Sequence, residues 1–374
     1  MAQKALSDAQ CAEALAAVAE HGTVSAAATA LGISRSALQN RLRVAAARGH
    51  APGHFDSGVA PGYRMGKVTI QRNAHGDVER VWERQHPDND AFDAAFGALV
   101  EELPRLAPVS APASGNADLL NVYTLTDCHV GMLAWHREGG ADWDLRIAER
   151  LLADSFTAMM AGAPRAQTAI VNQLGDFLHF DGLSAVTPTS GHLLDADGRF
   201  GKMVETAIRV LRRVVDAALA QHERVHLIMA EGNHDLASSV WLRKMFAALY
   251  ENEPRLTVDD SELPYYAYQH GETMLAFHHG HLSKNAALPG LFAAQFPRMW
   301  GTTTKRYAHC GHRHHVEEKE HAGMTVVQHA TLAARDAYAA RGGWISERQA
   351  QSITYHTLFG KVATNIVTPE MLAA

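Results

Sequence analysis

Five short apolar runs, each ending in metal-capable side chains, constrain this chain more than any other feature. They read LLNVYTLTD, TAIVNQLGD, RVHLIMAEGN, TMLAFHHG and YAHCGH. In order they deliver Asp127-Cys128-His129, Gly175-Asp176, Gly232-Asn233-His234-Asp235, His278-His279-Gly280-His281 and Gly311-His312-Arg313-His314. Runs of this length predict buried strands, and they alternate with helical stretches over residues 144–160, 199–221 and 238–250. Such alternation predicts an α/β arrangement. In layered folds of that class ligands gather where loops leave the C-terminal ends of the strands. The run ends are therefore expected to converge and to bring carboxylate, imidazole and amide oxygen together. The chain holds 23 histidines, several packed into FHHGH and AHCGHRHH, and imidazole is the commonest protein metal ligand.

The residue types suit a pair of cations. Two divalent ions about 3.5–4 Å apart need a shared ligand, and a carboxylate can bridge them. Asp176 is the expected bridge. Mixed imidazole and carboxylate donors favour manganese, iron or zinc over calcium. Asp127 with His129, and His312 with His314, are spaced to lie on one side of an extended segment. Glycines at 175, 232, 280 and 311 permit tight turns and close backbone approach.

A chain of 374 residues suits two or three domains, and 47% hydrophobic with 20% charged residues predicts packed cores. A formal net charge of -6 excludes a globally basic nucleic-acid binder, so any basic surface must be local. Cys11, Cys128 and Cys310 are scattered, imply no disulfide framework and fit a reducing cytoplasm. The N-terminus MAQKALSDAQ lacks an apolar signal core, and no stretch approaches about 18 uninterrupted apolar residues. A soluble, cytoplasmic protein without a membrane partner is expected.

Residues 7–48 read as three short helices capped by Ser7, Thr23 and Ser34. Cys11, Leu15, Val18, Ala27, Leu31, Ile33, Leu38, Leu42 and Val44 are expected inside. The segment TVSAAATALGISRSALQNRLR has helix, tight glycine turn, helix grammar. Residues 49–63 read as a linker, 63–84 as a hairpin turning at 73–77, and 90–104 as a short amphipathic helix. LAPVSAPASGNA, residues 106–117, marks a boundary. The expected domains are thus 1–50 (helix-turn-helix), 51–117 (linker with hairpin and helix) and 118–374 (α/β).

The series D-x-H, G-D, G-N-H-D, H-G-H and G-H-x-H resembles the calcineurin-like metallophosphoesterase superfamily, in the family's order and over the whole of residues 118–374. The resemblance implies a four-layer αββα sandwich: two mixed sheets face to face, helices outside, metals at one edge. It implies that Asp127, His129, Asp176 and His314 hold one ion, and that Asp176, Asn233, His279 and His312 hold the other. His234 then contacts the phosphate or protonates the leaving oxygen, and Asp235 orients it. The implied reaction is phosphoester hydrolysis by in-line attack of a metal-bound hydroxide. Mn²⁺ is the expected ion, with Fe²⁺, Zn²⁺ and Mg²⁺ as alternatives.

Several neighbours carry weaker expectations. Cys128 and Cys310 are expected in the core, and His278 is expected to face away from His279. His281 and His315 stay open between support for the ligands and no role. His179 and Asp181 are candidates to reach substrate. Residues 187–200 either cover the site or form a surface excursion.

Departures from the family narrow the branch. GDFLHFDG and GNHD differ from the G-D-x-x-D-R-G and G-N-H-E of serine/threonine protein phosphatases. His179 stands where purple acid phosphatases place a tyrosine ligand. Repair exonucleases, cyclic-nucleotide phosphodiesterases and small-nucleotide hydrolases remain. The whole layout resembles phage- or prophage-encoded metallophosphoesterases that carry an N-terminal helix-turn-helix and are related to DNA repair exonucleases. The third helix carries Arg35, Ser36, Gln39, Asn40, Arg41, Arg43 and Arg48, with no acid from residue 34 to residue 49. Arginine reads guanine or phosphate, and Gln or Asn reads adenine, from a helix in the major groove. Arg35, Ser36, Gln39, Asn40 and Arg43 are therefore the expected DNA contacts. One such module reads half a site, which makes a homodimer the expected partner state. The expected function is a two-metal phosphodiesterase, a DNA nuclease tethered by its own DNA-binding domain. The alternative is a small-nucleotide phosphodiesterase or phosphomonoesterase that uses the helix-turn-helix for tethering.

Overall fold

The computed structural model describes residues 6–47, 63–73, 78–87, 101, 105–110, 112–113, 115–188 and 190–373. The linker expected over 49–63 lies outside the described residues except for Tyr63, as does the helix expected over 90–104 except for Glu101. The chain divides into two compact units, Met1–Leu99 and Val100–Ala374.

The first unit contains α1 (Asp8–His21), α2 (Val24–Ala30) and α3 (Arg35–Ala47). Each expected cap forms: Ser7 Oγ accepts from Gln10 N, Thr23 Oγ1 from Ala26 N and Ser34 Oγ from Ala37 N, each satisfying an amide with no intrahelical partner. Their shared core is built on Ala14, Ala17, Ala27 and Ala28 around fully buried Leu38. Small side chains let the helix backbones approach closely. A hairpin of β1 (Tyr63–Arg72) and β2 (Val78–Pro87) follows, with the tip, residues 74–77, outside the described residues.

The second unit runs β3 (Asn116–Leu125), α4 (His136–Gly139), α5 (Leu145–Gly162), β4 (Ala166–Gln173), α6 (Phe200–Gln221), β5 (Arg224–Met229), α7 (Leu236–Leu249) and β6 (Leu256–Val258). It continues with β7 (Tyr266–His270), β8 (Thr273–Phe277), α8 (Leu288–Gln295), α9 (Pro297–Thr302), β9 (Lys305–Cys310), β10 (Glu317–His321) and β11 (Met324–Gln328). The chain closes with α10 (Ala337–Arg341), β12 (Ala350–His356), β13 (Gly360–Val367) and α11 (Pro369–Ala373). One sheet has the order β13-β12-β3-β4-β5-β6, the other β10-β11-β9-β8-β7. β3 to β6 are parallel, as are β8, β9 and β11.

Side-chain alternation along each strand feeds two different cores. Leu120 and Val122 of β3 meet Leu275 and Phe277 of β8 between the sheets, with Ile170, Ile228, Val327 and Ile353. Tyr123 and Leu125 point the other way, onto α5, α6 and α7. α6 buries Met203, Ala207, Val210, Leu211, Val214 and Ala218, a stripe with helical period. Beyond the second sheet, Met274, Ala276, Ala308 and Val326 pack on Leu288 and Phe292 of α8. The layers are therefore helices, six strands, five strands, helices, as expected for the αββα sandwich. Among the described residues no helix is long and apolar enough to cross a membrane.

Candidate metal centre

β3, β4, β5, β8 and β9 each deliver one of the expected motifs just past their C-terminal ends. Backbone bonds knit those loops together. Asp127 N donates to Gly175 O (3.1 Å), His129 N to Asp176 O (3.0 Å) and Val130 N to Phe177 O (2.8 Å). Within the second sheet, Gly311 N donates to His279 O (2.7 Å), and across the sheets His312 N donates to both carboxylate oxygens of Asp127 (3.0 and 2.9 Å). Thr126 Oγ1 donates to Asp127 Oδ2 (2.7 Å) and Thr331 Oγ1 to Asp127 O (2.6 Å).

Among the described residues, the non-glycine residues in the left-handed region are Asp127 (φ 50°), His129 (43°), Asp176 (47°), His312 (71°) and His314 (55°). All of them are expected ligands. Left-handed backbone is unfavourable for side-chain-bearing residues and persists only where the surroundings hold it, which happens most at functional sites. Glycine is needed where these loops approach closely. A Cβ at Gly232 would collide with the Asp176 carboxylate, and one at Gly311 with Thr126 and Asp127.

The expected ligands form two groups, beside a third set of imidazoles made by His129, His179 and His234. Asp127, His129 and His314 bring their ligand atoms within 4.8 Å of one another, and so do Asp176, His279 and His312. His314 Nε2 lies 3.1 Å from Asp127 Oδ1 and 3.4 Å from His129 Nε2. His279 Nε2 lies 3.1 Å from Asp176 Oδ2 and 3.9 Å from Asp127 Oδ1, so one imidazole touches both groups. His279 Nδ1 donates to Leu174 O (2.8 Å), which fixes the tautomer and leaves Nε2 for a ligand.

Burial works against charge on Asp127 and Asp176, yet the imidazoles beside them hold both carboxyls below the usual range. Burial would lower the His279 imidazole, but Asp176 and Asp127 outweigh it and push it up to about 10. Asn233 Oδ1 is buried without a hydrogen-bond partner among the described residues. A buried amide oxygen without a partner is costly, and divalent cations of this type accept such oxygens alongside carboxylates and imidazoles. The donor set fits divalent cations.

His234 and Asp235 part company. His234 Nδ1 donates to His179 O (2.7 Å), which leaves Nε2 as the nitrogen for proton exchange, and His234 N donates to Asp176 Oδ1 (2.8 Å). The expectation that Asp235 orients the His234 ring is corrected here. Its carboxylate is buried and accepts from Phe177 N (2.7 Å), Leu178 N (3.1 Å) and Gly232 N (2.9 Å). Three amides reach it first, so Asp235 ties the loops after β4 and β5 together, and the His179 carbonyl orients His234. Burial, then the nearby Asp176 charge, push the Asp235 carboxyl up to about 7.

The neighbours sort by contact. The His179 ring is buried 3.2 Å from His129 (Nδ1 to Nδ1), while Asp181 caps α7 through Ala237 N and Ser238 N. His278 turns away onto Pro264 O, whereas His281 lies within 5.4 Å of His279 ring to ring. His315 is exposed and bonds Arg313 O. Cys128 and Cys310 are buried in separate apolar clusters. The loop over 187–200 is tied to the segment after β3 through Leu133 N to Asp195 O (2.9 Å) and Asp197 N to Gly131 O (2.8 Å); Thr189 lies outside the described residues.

Thr126, Thr331 and the His179 carbonyl were not singled out by the sequence. Only Thr126, adjacent to a ligand, carried a local signal; the other two act from distant positions in the chain.

In the first unit, Arg35, Ser36, Gln39, Asn40 and Arg43 are all exposed on α3. Their spacing puts them on one side of the helix. Arg43 Nη2 donates to Asn40 Oδ1 (3.0 Å), and Arg41 is instead paired with Glu13 of α1 (3.0 Å).

No family model and no curated protein matches the sequence. Solved structures similar to this chain include Yfce, a phosphoesterase from E. coli, at 13% identity and TM-score 0.31, covering 66% of this chain and 98% of that one. Vps29 complexed with Zn²⁺ from Entamoeba histolytica has 14% identity and TM-score 0.28, covering 67% and 98%. A conserved uncharacterized protein, described as a predicted phosphoesterase, from Streptococcus pneumoniae has 10% identity and TM-score 0.29, covering 67% and 91%. At such identities and scores, the chemistry of this site rests on its own residues.

Proposed function

We propose that this chain is a metal-dependent phosphoesterase that cleaves phosphodiester bonds in DNA. One observation carries the reading. Asp127, His129, Asp176, Asn233, His279, His312 and His314 follow the C-terminal ends of parallel strands of both sheets, with left-handed backbone at most of these positions, beside an imidazole whose Nε2 is kept for proton exchange. Asp127, His129 and His314 would hold one divalent ion, Asn233, His279 and His312 a second, with Asp176 shared. Ions bound there would bring a water molecule's pKa toward neutrality and neutralise charge on the phosphoryl oxygens. His234 gives a proton to the leaving oxygen from Nε2. Asp235 holds the loop that carries Asn233 and His234. The mixed donors favour Mn²⁺, Fe²⁺ or Zn²⁺ over Mg²⁺, and Mn²⁺ is the ion proposed.

The exposed Arg35, Ser36, Gln39, Asn40 and Arg43 face supports DNA as the partner, held by a helix-turn-helix that raises local substrate concentration. Two half-sites would be read by a homodimer. Three free, buried cysteines support a reducing compartment such as the cytoplasm. A second reading, hydrolysis of small nucleotides or phosphomonoesters, is favoured by a cavity of about 670 Å³ that adjoins His312 and His314, a size suited to a single small ligand.

The deciding experiment gives metal-stripped protein Mn²⁺, Mg²⁺ or Zn²⁺ with single-stranded, linear duplex and closed circular DNA, beside His234→Ala. Cleavage that needs both metal and His234 is expected. Intact DNA with turnover of bis-p-nitrophenyl phosphate or p-nitrophenyl phosphate would favour the second reading.

A further inference from the structure

Beside the metal-binding groups lies a cavity of about 670 Å³ whose wall is partly shared with them, since His312 and His314 line both. Its far wall carries an exposed indole and an exposed aliphatic side chain. Trp344 is 59% exposed and Ile345 81% exposed. Tyr338 meets Trp344 edge-on at 5.3 Å, and Ser346 Oγ donates to His314 O (2.5 Å), so this wall is pinned directly to a ligand residue. Arg313, between the two ligand histidines, also lines the cavity. Its guanidinium is exposed and makes no hydrogen bond or ion pair with any described residue. By contrast, Arg348 is committed to Leu332 O and Arg335 to Gly139 O.

We propose that this cavity is the subsite for the nucleoside attached to the reacting phosphate: Trp344 stacks the base and Arg313 takes the adjoining phosphate. The proposal rests on the phosphoesterase reading of the neighbouring site. Apolar lining alone would suit any aryl or acyl group. An uncommitted planar cation two or fewer residues from the metal ligands matches an anion, and an exposed indole matches a base, whose stacking is tolerant of sequence.

The test compares thymidine 5′-(p-nitrophenyl phosphate) with methyl p-nitrophenyl phosphate, which share the leaving group and differ only in the nucleoside. In wild type the ratio of their kcat/KM values favours the nucleoside. Trp344→Ala lowers that ratio about tenfold, mainly through KM of the nucleoside substrate, because stacking on one aromatic side chain is typically worth roughly that much. Trp344→Phe keeps most of the ratio, as a merely structural role would not require. A wild-type ratio near unity, or a ratio unmoved in Trp344→Ala, overturns the proposal. So does a simple alkyl or phenyl ester that outcompetes the nucleoside, which would make the cavity an apolar acceptor. Hydrolysis of neither compound would instead sink the phosphodiesterase reading on which the proposal rests. Calorimetric binding of thymidine 5′-monophosphate against inorganic phosphate then decides the subsite. Tighter binding of the nucleotide in wild type, reduced in Trp344→Ala, sustains it, and equal binding overturns it.

Discussion

At the residue scale, the site is an arrangement of donors whose backbone is held in unfavourable conformations. Asp127 alone receives hydrogen bonds from Thr126, Thr331 and His312, so its orientation is over-determined before any cation arrives. Asp176 is the sensitive position. Its Oδ1 accepts from His234 N while Oδ2 faces His279. Asp176→Asn is expected to disturb binding at both groups. Metal content after dialysis should fall below that of wild type at each site, and an unchanged two-ion stoichiometry would falsify the shared-ligand assignment. His234→Ala should retain metal and lose about 10²–10⁴-fold in kcat on DNA. The loss should be smaller on p-nitrophenyl esters, whose leaving group needs less protonation; equal losses on both would argue that His234 binds phosphate instead.

At the element scale, the segment before β3 is fastened to the body by a buried carboxylate. Leu106 N donates to Leu249 O (2.8 Å), Val109 N donates to Glu253 (2.8 Å), and Arg255 reaches both Glu253 and Val109 O. Burial tends to raise the Glu253 carboxyl, but the bonds from Val109 and Arg255 outweigh it and hold it below the usual range. A depressed folded pKa means that the stabilisation is fully present above the unfolded value, near 4.3, and is lost as pH falls through the folded value. Wild type should therefore lose Tm over Glu253→Gln as pH is lowered from about 5 toward the folded pKa, the two curves converging in acid. Parallel curves would show that this carboxylate does not couple to folding. Chelation tests the loops themselves: since cations bind only the folded arrangement, stripping them should lower Tm, and readdition should restore it in a concentration-dependent way.

At the scale of the whole molecule, an exposed arginine-bearing helix and the candidate metal centre occupy different compact units. Deleting residues 1–50 is expected to weaken duplex DNA binding and its salt dependence, while turnover of a small chromogenic diester continues. If small-substrate turnover vanishes as well, the division of labour between the units is wrong. The measurement is a filter or fluorescence binding titration at two salt concentrations beside the chromogenic assay.

The clustering of the metal-capable residues was legible in the linear sequence because parallel strands end on the same side of their sheet, and β3, β4 and β5 of one sheet and β8 and β9 of the other each bring such residues with them. Helices α5, α6 and α7 were legible for a related reason: their apolar stripes have a period that only a helix satisfies. What lay beyond the sequence depends on contacts between distant segments. Asp235 follows His234 in the chain, yet its carboxylate is claimed by two backbone amides of the loop after β4 and by Gly232 N of its own loop. Thr331 bonds Asp127, 204 residues away, and Ser346, close to Trp344 in the chain, docks on His314 O. Local pattern determined which residues could bind metal and which elements carry them. Tertiary packing decided which carbonyl His234 bonds, which amides hold the Asp235 carboxylate, and where a cavity opens beside His312 and His314, because hydrogen-bond partners are chosen by distance in space and the sequence does not encode that distance locally.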